Sequence, residues 1–204
     1  MKIVKNVIII LIGLIIMSIG SSILRSAGLG VDPFTAMNIG LSNHVGLSLS
    51  VFQIIVNVLI LLYVYKYDKA AIGLGTILNM LLVGYFIQLF SAIFKPYSQT
   101  MSHSILLQVI SLVAGIALFT LGCAVYMATN QGESPYDAVA PTICKQTGKS
   151  YSPVRKTQDI IVVIIGFFAG GPIGIGTIIC AFGCGPLISI WTAVVQKPIK
   201  KLQD

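Results

Sequence analysis

Charge is what this chain has least of. Only 9% of its 204 residues are Asp, Glu, Lys or Arg, and just six are acidic, whereas a soluble domain carries roughly 25% charged residues. With 56% hydrophobic residues and a mean hydropathy of +0.94, the composition excludes a water-soluble globular domain. It predicts an all-α, polytopic membrane helix bundle in a single domain covering residues 1–204. Histidine is nearly absent, and His44 and His103 stand isolated. The four cysteines follow neither a disulfide framework nor a zinc spacing. Cys180 and Cys184 share a helix face, but too few other ligands lie nearby for a metal; Cys123, Cys180 and Cys184 read as small buried hydrophobes. Nucleophile–base pairs, phosphate-binding loops and metal-ligand motifs are also missing. The expectation is a protein without catalytic residues, cofactor or metal, and not an enzyme. The net charge of +7 comes from basic residues scattered at helix ends, which excludes a nucleic-acid partner.

What is present is a series of long apolar runs. Six are expected to cross the roughly 30 Å hydrocarbon layer: Ile3–Leu24, Val51–Tyr65, Ala71–Phe94, Ile105–Ala128, Pro153–Ala169 and Ile173–Val195. The second and fifth are short, and their helix starts are read at Ser50 before Val51 and at Ser152 before Pro153. Lys2 and Lys5 ahead of the first run resemble a signal peptide. The run nevertheless continues well beyond the roughly 7–15 residues of a signal core, so it is expected to be retained. With both termini in the cytoplasm, Lys2, Lys5, Lys66, Lys69, Lys145, Lys149, Arg155, Lys156, Lys197, Lys200 and Lys201 face inward. Only Arg25 and Lys95 of the 13 basic residues are then left outside, as the positive-inside rule favours.

The chain also repeats at half length. A shift of 102 positions pairs Gly13 with Gly115, Gly20 with Gly122, Gly30 with Gly132, Pro33 with Pro135, Ala36 with Ala138, Gly46 with Gly148, Ser48 with Ser150 and Ser50 with Ser152. A shift of 101 then lays Ile72–Ile77 on Ile173–Ile178 and Gly84 on Gly185. The matches fall at Gly, Pro, Ser and Thr, where backbone geometry is most demanding, rather than at Leu and Ile. Three crossings per copy is an odd number. The second copy (about 105–196) must therefore enter from the face opposite to the first (about 3–95), which defines an inverted-topology repeat.

Each copy holds a further helix start in the loop after its first span. Asp32 before Pro33 and Ser134 before Pro135 are N-cap signals, predicting helices over 33–44 and 135–146. At about 18 Å each, both are too short to span. Phe34, Met37 and Leu41 form an apolar stripe matched by Tyr136, Val139 and Ile143. The opposite stripe is Thr35, Asn38 and Ser42, matched by Asp137, Ala140 and Cys144. Such a helix lies flat at the interface or dips in as a re-entrant half-helix, and the sequence leaves both open. In the second case Gly30, Pro33, Gly132, Ser134 and Pro135 become candidate gating positions. Helix N-termini suit anions, but Asp32, Glu133 and Asp137 compete for those amides.

Few polar residues remain inside the apolar spans. Asp159 lies two turns into the fifth and corresponds to Asn57 in the second. It reads either as the local partner of Arg155, four residues earlier, or as a coupling carboxylate. Asn79 in the third span corresponds to Cys180 and reads as packing glue or ligand. The candidates for substrate or coupling contacts are thus Asp159, Asn57, Asp32, Asp137, Asn38 and Asn79. Gly183-Cys184-Gly185-Pro186 is expected to kink or break the last span. The remaining glycines of the Gly-x-Gly-Thr segments are expected to mark close helix contacts.

Gly28-Leu29-Gly30-Val31-Asp32-Pro33-Phe34, followed by Val45-Gly46-Leu47-Ser48 and Gly73-Leu74-Gly75-Thr76-Ile77-Leu78-Asn79, resembles the YczE branch of the YczE/YyaS/YitT group of bacterial membrane proteins. The match runs from Gly20 to Phe90 and recurs more loosely from Gly122 to Trp191. The aromatic–acid pair common after the proline in that group is kept as Tyr136-Asp137 but is Phe34-Thr35 in the first copy. The resemblance implies the bacterial cytoplasmic (inner) membrane and supplies no activity. The expected function, drawn from inverted repeats around a shared centre, is a small secondary transporter or permease for a small polar solute. A passive channel and a membrane partner that stabilises another protein are the alternatives. The partners expected are the lipid bilayer and that solute, with a homodimer left open.

Overall fold

Backbone groups in a lipid-like surrounding must find their partners within the same segment, so the apolar runs fold as helices. The computed structural model describes residues 2–203, and among these the chain is all-helical. The order is α1 (Lys2–Ser26), α2 (Pro33–Val45), α3 (Leu49–Tyr67), α4 (Leu74–Phe94), α5 (Ser98–His103), α6 (Ile105–Met127), α7 (Pro135–Thr147), α8 (Tyr151–Phe168) and α9 (Ile175–Gln203), with 3-10 turns at Lys69–Ala71 and Lys95–Tyr97.

Among the described residues, five segments are long and apolar enough to cross a membrane: Ile3–Ser26, Leu49–Tyr67, Leu74–His103, Ile105–Met127 and Ile175–Gln203. This is one fewer than the sequence reading expects. The difference is α8, whose 18 residues carry Arg155, Lys156 and Asp159 in their first half. Two helix starts also move. α3 begins at Leu49, because the Ser48 side chain accepts from the Val51 amide at 3.4 Å, while the Ser50 hydroxyl is drawn to Gln88 Oε1 at 2.7 Å. α8 begins at Tyr151 after Ser150, leaving Pro153 in the first turn, where its missing N–H has no intrahelical partner to lose. Of the kink or break expected at Gly183–Pro186, the break does not occur. α9 is assigned as one helix from Ile175 to Gln203, with Pro186 and Pro198 inside it.

α1 packs most extensively along α6, then along α4, and α6 packs along α9. The α1–α6 crossing is close because of four glycines. A Cβ on Gly13 would lie 2.7 Å from the Tyr126 nitrogen and 2.9 Å from the Gly122 carbonyl oxygen, and Gly20 and Gly115 meet in the same way one level along. Small residues at such crossings let backbones approach where lipid and side chain are equally apolar.

α2 and α7 are packed among the other helices rather than laid flat on an outer surface. α2 buries both of its stripes, with Phe34, Met37 and Asn38 among the covered residues. Phe34 and Met37 form a cluster with Tyr136 and Val162, supported by Leu41, Val56 and Ile60. α2 runs beside α8, and Gly40 abuts Ala169; α7 runs beside α3, where Lys145 pairs with Asp68 at 2.5 Å and the Tyr63 hydroxyl donates to Gln146 at 3.1 Å. The loop before each short helix is extended and held by the start of a helix from the other half. Gly30 (φ +84°) presses on Gly174 and Thr177, and Gly132 (φ +92°) presses on Gly73 and Thr76. The Gly176 amide donates to Leu29 O at 2.8 Å and the Gly75 amide to Gln131 O at 2.6 Å. Positive φ and the lack of room for a side chain both require glycine at positions 30 and 132.

The corresponding contacts of the two halves are not all equal, and the α3–α4 and α8–α9 pair differs most. α3 packs broadly on α4, whereas α8 touches α9 only slightly. Gly84 sits against Ser50, where a Cβ would be 3.0 Å from the Ser50 Cα, but its counterpart Gly185 faces open space.

Candidate functional site

The N-termini of α2 and α7 face each other at the centre of the bundle. Asp32 caps α2 by accepting the Thr35 amide at 3.0 Å, and Ser134 caps α7 by accepting the Asp137 amide at 3.1 Å. The first aromatic of each helix then meets its counterpart: Phe34 and Tyr136 stack with centroids 4.6 Å apart at 19°.

A cavity of about 90 Å³ lies between these ends, and it adjoins a vestibule of about 470 Å³ lined by the first half of α8 and the first half of α9. Asp137, Arg155, Asp159, Cys180, Cys184 and Ile188 border both. Most of the inner lining comes in corresponding pairs from the two halves: Met17 and Phe119, Asp32 and Ser134, Phe34 and Tyr136, Thr35 and Asp137, Gln53 and Arg155, Asn57 and Asp159, Asn79 and Cys180.

The two halves treat their polar groups differently. On the second-copy side everything is interlocked. Arg155 Nη1 donates to Asp137 at 2.7 Å and Nε to Asp159 at 3.1 Å, while its guanidinium lies 4.9 Å from the Tyr136 ring centre. The Tyr136 hydroxyl donates to the other Asp159 oxygen at 2.5 Å. Asp137 Oδ2 accepts from Ser134 at 2.6 Å and from Tyr126 at 3.3 Å. A charged network of this kind persists in a low-dielectric setting only because nearly every lone pair is used. On the first-copy side several polar atoms have no partner among the described residues. Asp32 Oδ2, Gln53 Oε1 and both amide atoms of Asn57 are buried without a hydrogen bond. Glu133, in the loop before α7, borders the vestibule, and burial raises its carboxyl above the ordinary value, Asp137 adding to the rise and Arg155 opposing it.

Of the residues singled out in the sequence, Asp32, Asn57, Asn79, Asp137 and Asp159 line the cavity, together with Pro33 and Ser134. Asn57 and Asp159 share the cavity without bonding to each other, since both Asn57 amide atoms are free. The local Arg155–Asp159 pair is present, but as one edge of a larger network. Asn38 is placed elsewhere. It is fully buried, and its Nδ2 donates back to the Phe34 carbonyl at 2.7 Å, so it braces α2 and does not face the cavity. Gly30 and Gly132 are loop seats outside the lining, and Pro135 lies behind it. Gln53, Tyr126 and Tyr136 are lining residues that the sequence reading leaves out as site candidates. Gln53 was detectable as the repeat counterpart of Arg155; Tyr136 reads as an apolar stripe residue until its hydroxyl is seen against Asp159.

Proteins similar to this chain cover nearly its whole length. A Haemophilus influenzae protein is 28% identical over 193 residues, 95% of this chain and 86% of its own. The Bacillus subtilis membrane protein YczE is 33% identical over 177 residues, 86% of this chain and 80% of its own, and Bacillus subtilis YyaS is 28% identical over 187 residues, 91% and 92%. No solved structure matches. Residues 4–193 match the model of a family of unknown function, DUF6198. The resemblance carried by Gly28–Phe34 and Gly73–Asn79 therefore holds, and this membrane protein belongs to the DUF6198 family together with its YczE and YyaS relatives.

Proposed function

We propose that the protein is a small secondary transporter of the bacterial cytoplasmic membrane, built from two inverted three-span repeats and moving a small polar solute. α8 serves as the sixth crossing in this reading. Arg155 and Asp159 sit on the network at the cavity, and Lys156 borders the vestibule, which lowers the cost of ionisable groups at depth. α2 and α7 act as half-helices that dip from opposite faces and meet end to end, a geometry that places a site near the midplane.

The observation that carries the proposal is the unequal pair of contacts. Where α3 and α4 are shut, with Ser50 against Gly84 and Gln88, α8 and α9 are parted around Ser152, Gly185 and Ser189. Ser152, Gly185 and Ser189 are the repeat counterparts of Ser50, Gly84 and Gln88. Two nearly equivalent halves caught in opposite states supply what alternating access needs: exchanging their states would move the entrance to the other face. Lys145, Lys149 and Lys156 flank the parted side, which makes the present state inward-open under the positive-inside rule.

The test is a cross-link. In a background with all four cysteines replaced by alanine, Ser152→Cys with Gly185→Cys should form a disulfide only when the α8–α9 gap closes, and doing so should abolish solute flux in proteoliposomes. Flux that continues unimpaired through the cross-linked protein would remove alternating access and favour the channel reading.

A further inference from the structure

The lining is symmetric in position but not in chemistry. On the second-copy side, a guanidinium built into the chain bridges two carboxylates and faces an aromatic ring. On the first-copy side, the position of Arg155 is taken by Gln53, and no basic side chain lines that half. What lines it instead is a set of buried acceptors. Asn57 is 1% exposed and Gln53 3% exposed; Asp32 Oδ2 and Asn57 Oδ1 are buried acceptors without a partner, and Gln53 Oε1, also without one, lies beside Gly84. Buried acceptors without partners are costly, so Asp32 Oδ2 and Asn57 Oδ1 beside one small cavity select for a molecule that brings donors.

The charge balance points the same way. Asp32, Asp137 and Asp159 face the cavity, with Arg155 as the one basic side chain in its lining. The N-terminal ends of α2 and α7 add roughly half a positive charge each. About one positive charge is still needed for neutrality. An alkylammonium group supplies one charge and three N–H donors in a compact head. Met17, Val83 and Ile87 complete the wall with apolar surface for a short carbon chain.

We propose that this cavity binds a small primary ammonium cation, its head held by Asp32, Gln53 and Asn57 and its short apolar body lying against Met17, Val83 and Ile87. The inference rests on the transporter reading and names the substrate class of that same site. Arg155 then plays, within the second copy, the part that the bound ammonium plays in the first.

The experiment is calorimetric titration of the full chain in lipid nanodiscs with propylammonium chloride. Tetramethylammonium, which lacks donors, sodium and potassium chloride, and sodium propionate serve as comparisons. Propylammonium is expected to bind and the others are not. Asp32→Asn keeps an equally good N-cap and removes the charge, so it should weaken propylammonium binding about tenfold or more, and Asn57→Leu should weaken it as well. Equal binding to Asp32→Asn and the unaltered chain would overturn the assignment, as would preference for propionate, tetramethylammonium or a bare alkali cation. If the Ser152→Cys/Gly185→Cys cross-link still responds to propionate or to a neutral polyol, the ammonium class falls and the transporter reading stands. If none of the solutes binds and the gap never closes, both fall.

Discussion

Arg155 is the residue on which the centre depends most. It holds Asp137 and Asp159 at once and covers Tyr136, and its side chain is 26% exposed toward the vestibule. Removing it leaves two carboxylates facing each other across a small space. Arg155→Gln should therefore lower unfolding stability in nanodiscs by about 2 kcal/mol, below the roughly 3–5 kcal/mol of a fully buried pair because water reaches part of the arginine. Arg155→Lys should restore little of it, since an ammonium cannot bridge two carboxylates in the fixed fork of a guanidinium. Asp159→Asn is the complementary change: it preserves the shape and the Arg155–Asp137 bond, so assembly should persist while ion-coupled flux is lost. Unchanged flux in that variant would reduce Asp159 to a structural partner of Arg155 and Tyr136. Asn57, Asn79 and Asp159 were legible in the sequence because polar side chains stand out in apolar segments, and Asp32 and Asp137 because they belong to helix-start signals. Tyr136 and Gln53 were not, because an aromatic on an apolar stripe and a single amide in a span look the same whether or not a cavity lies beside them.

Among the elements, the short helices α2 and α7 show where local sequence stops being informative. Asp32-Pro33 and Ser134-Pro135 place their starts, and Gly46 and Gly148 end them in the left-handed conformation. Their placement did not follow from the amphipathic stripe, because a surface that suits lipid also suits the flank of another apolar helix. Packing resolved it, through the Gly30–Gly174 and Gly132–Gly73 seats that draw each preceding loop into the bundle. The α1–α6 crossing makes an element-scale prediction. A side chain at Gly122 would strike the Met17 backbone and the Gly13 carbonyl oxygen. Gly122→Leu should force the two helices apart and cost about 1–3 kcal/mol or more, seen as a lower unfolding midpoint in nanodiscs. A matching loss from Gly20→Leu, against the Phe119 backbone, is expected from the same crossing.

For the whole molecule, the exposed C-terminal ends of the two short helices report on topology. Val45→Cys is at the last residue of α2 and Lys149→Cys follows α7; both positions are exposed. With Cys144 replaced by serine, an impermeant thiol reagent should label Val45→Cys from outside intact cells and Lys149→Cys only after the cytoplasmic face is opened. Labelling of both from one side would end the inverted arrangement and the exchange of states built on it.

Composition alone determined that this chain lives in a membrane and is helical, because so few charges and so much apolar length leave the backbone no other way to satisfy itself. The spacing of Gly, Pro and Ser exposed the half-length repeat and the caps, since those residues answer to backbone geometry that local sequence encodes. Only the tertiary structure decided that α2 and α7 meet end to end, that Arg155 ties two carboxylates while Asp32 Oδ2, Gln53 Oε1 and the Asn57 amide are left without partners, and that α8 stands apart from α9 where α3 is closed on α4. These are relations between residues far apart in the chain. Two halves with matching signatures can pack alike or unlike, and the difference is set by contacts that no local segment contains.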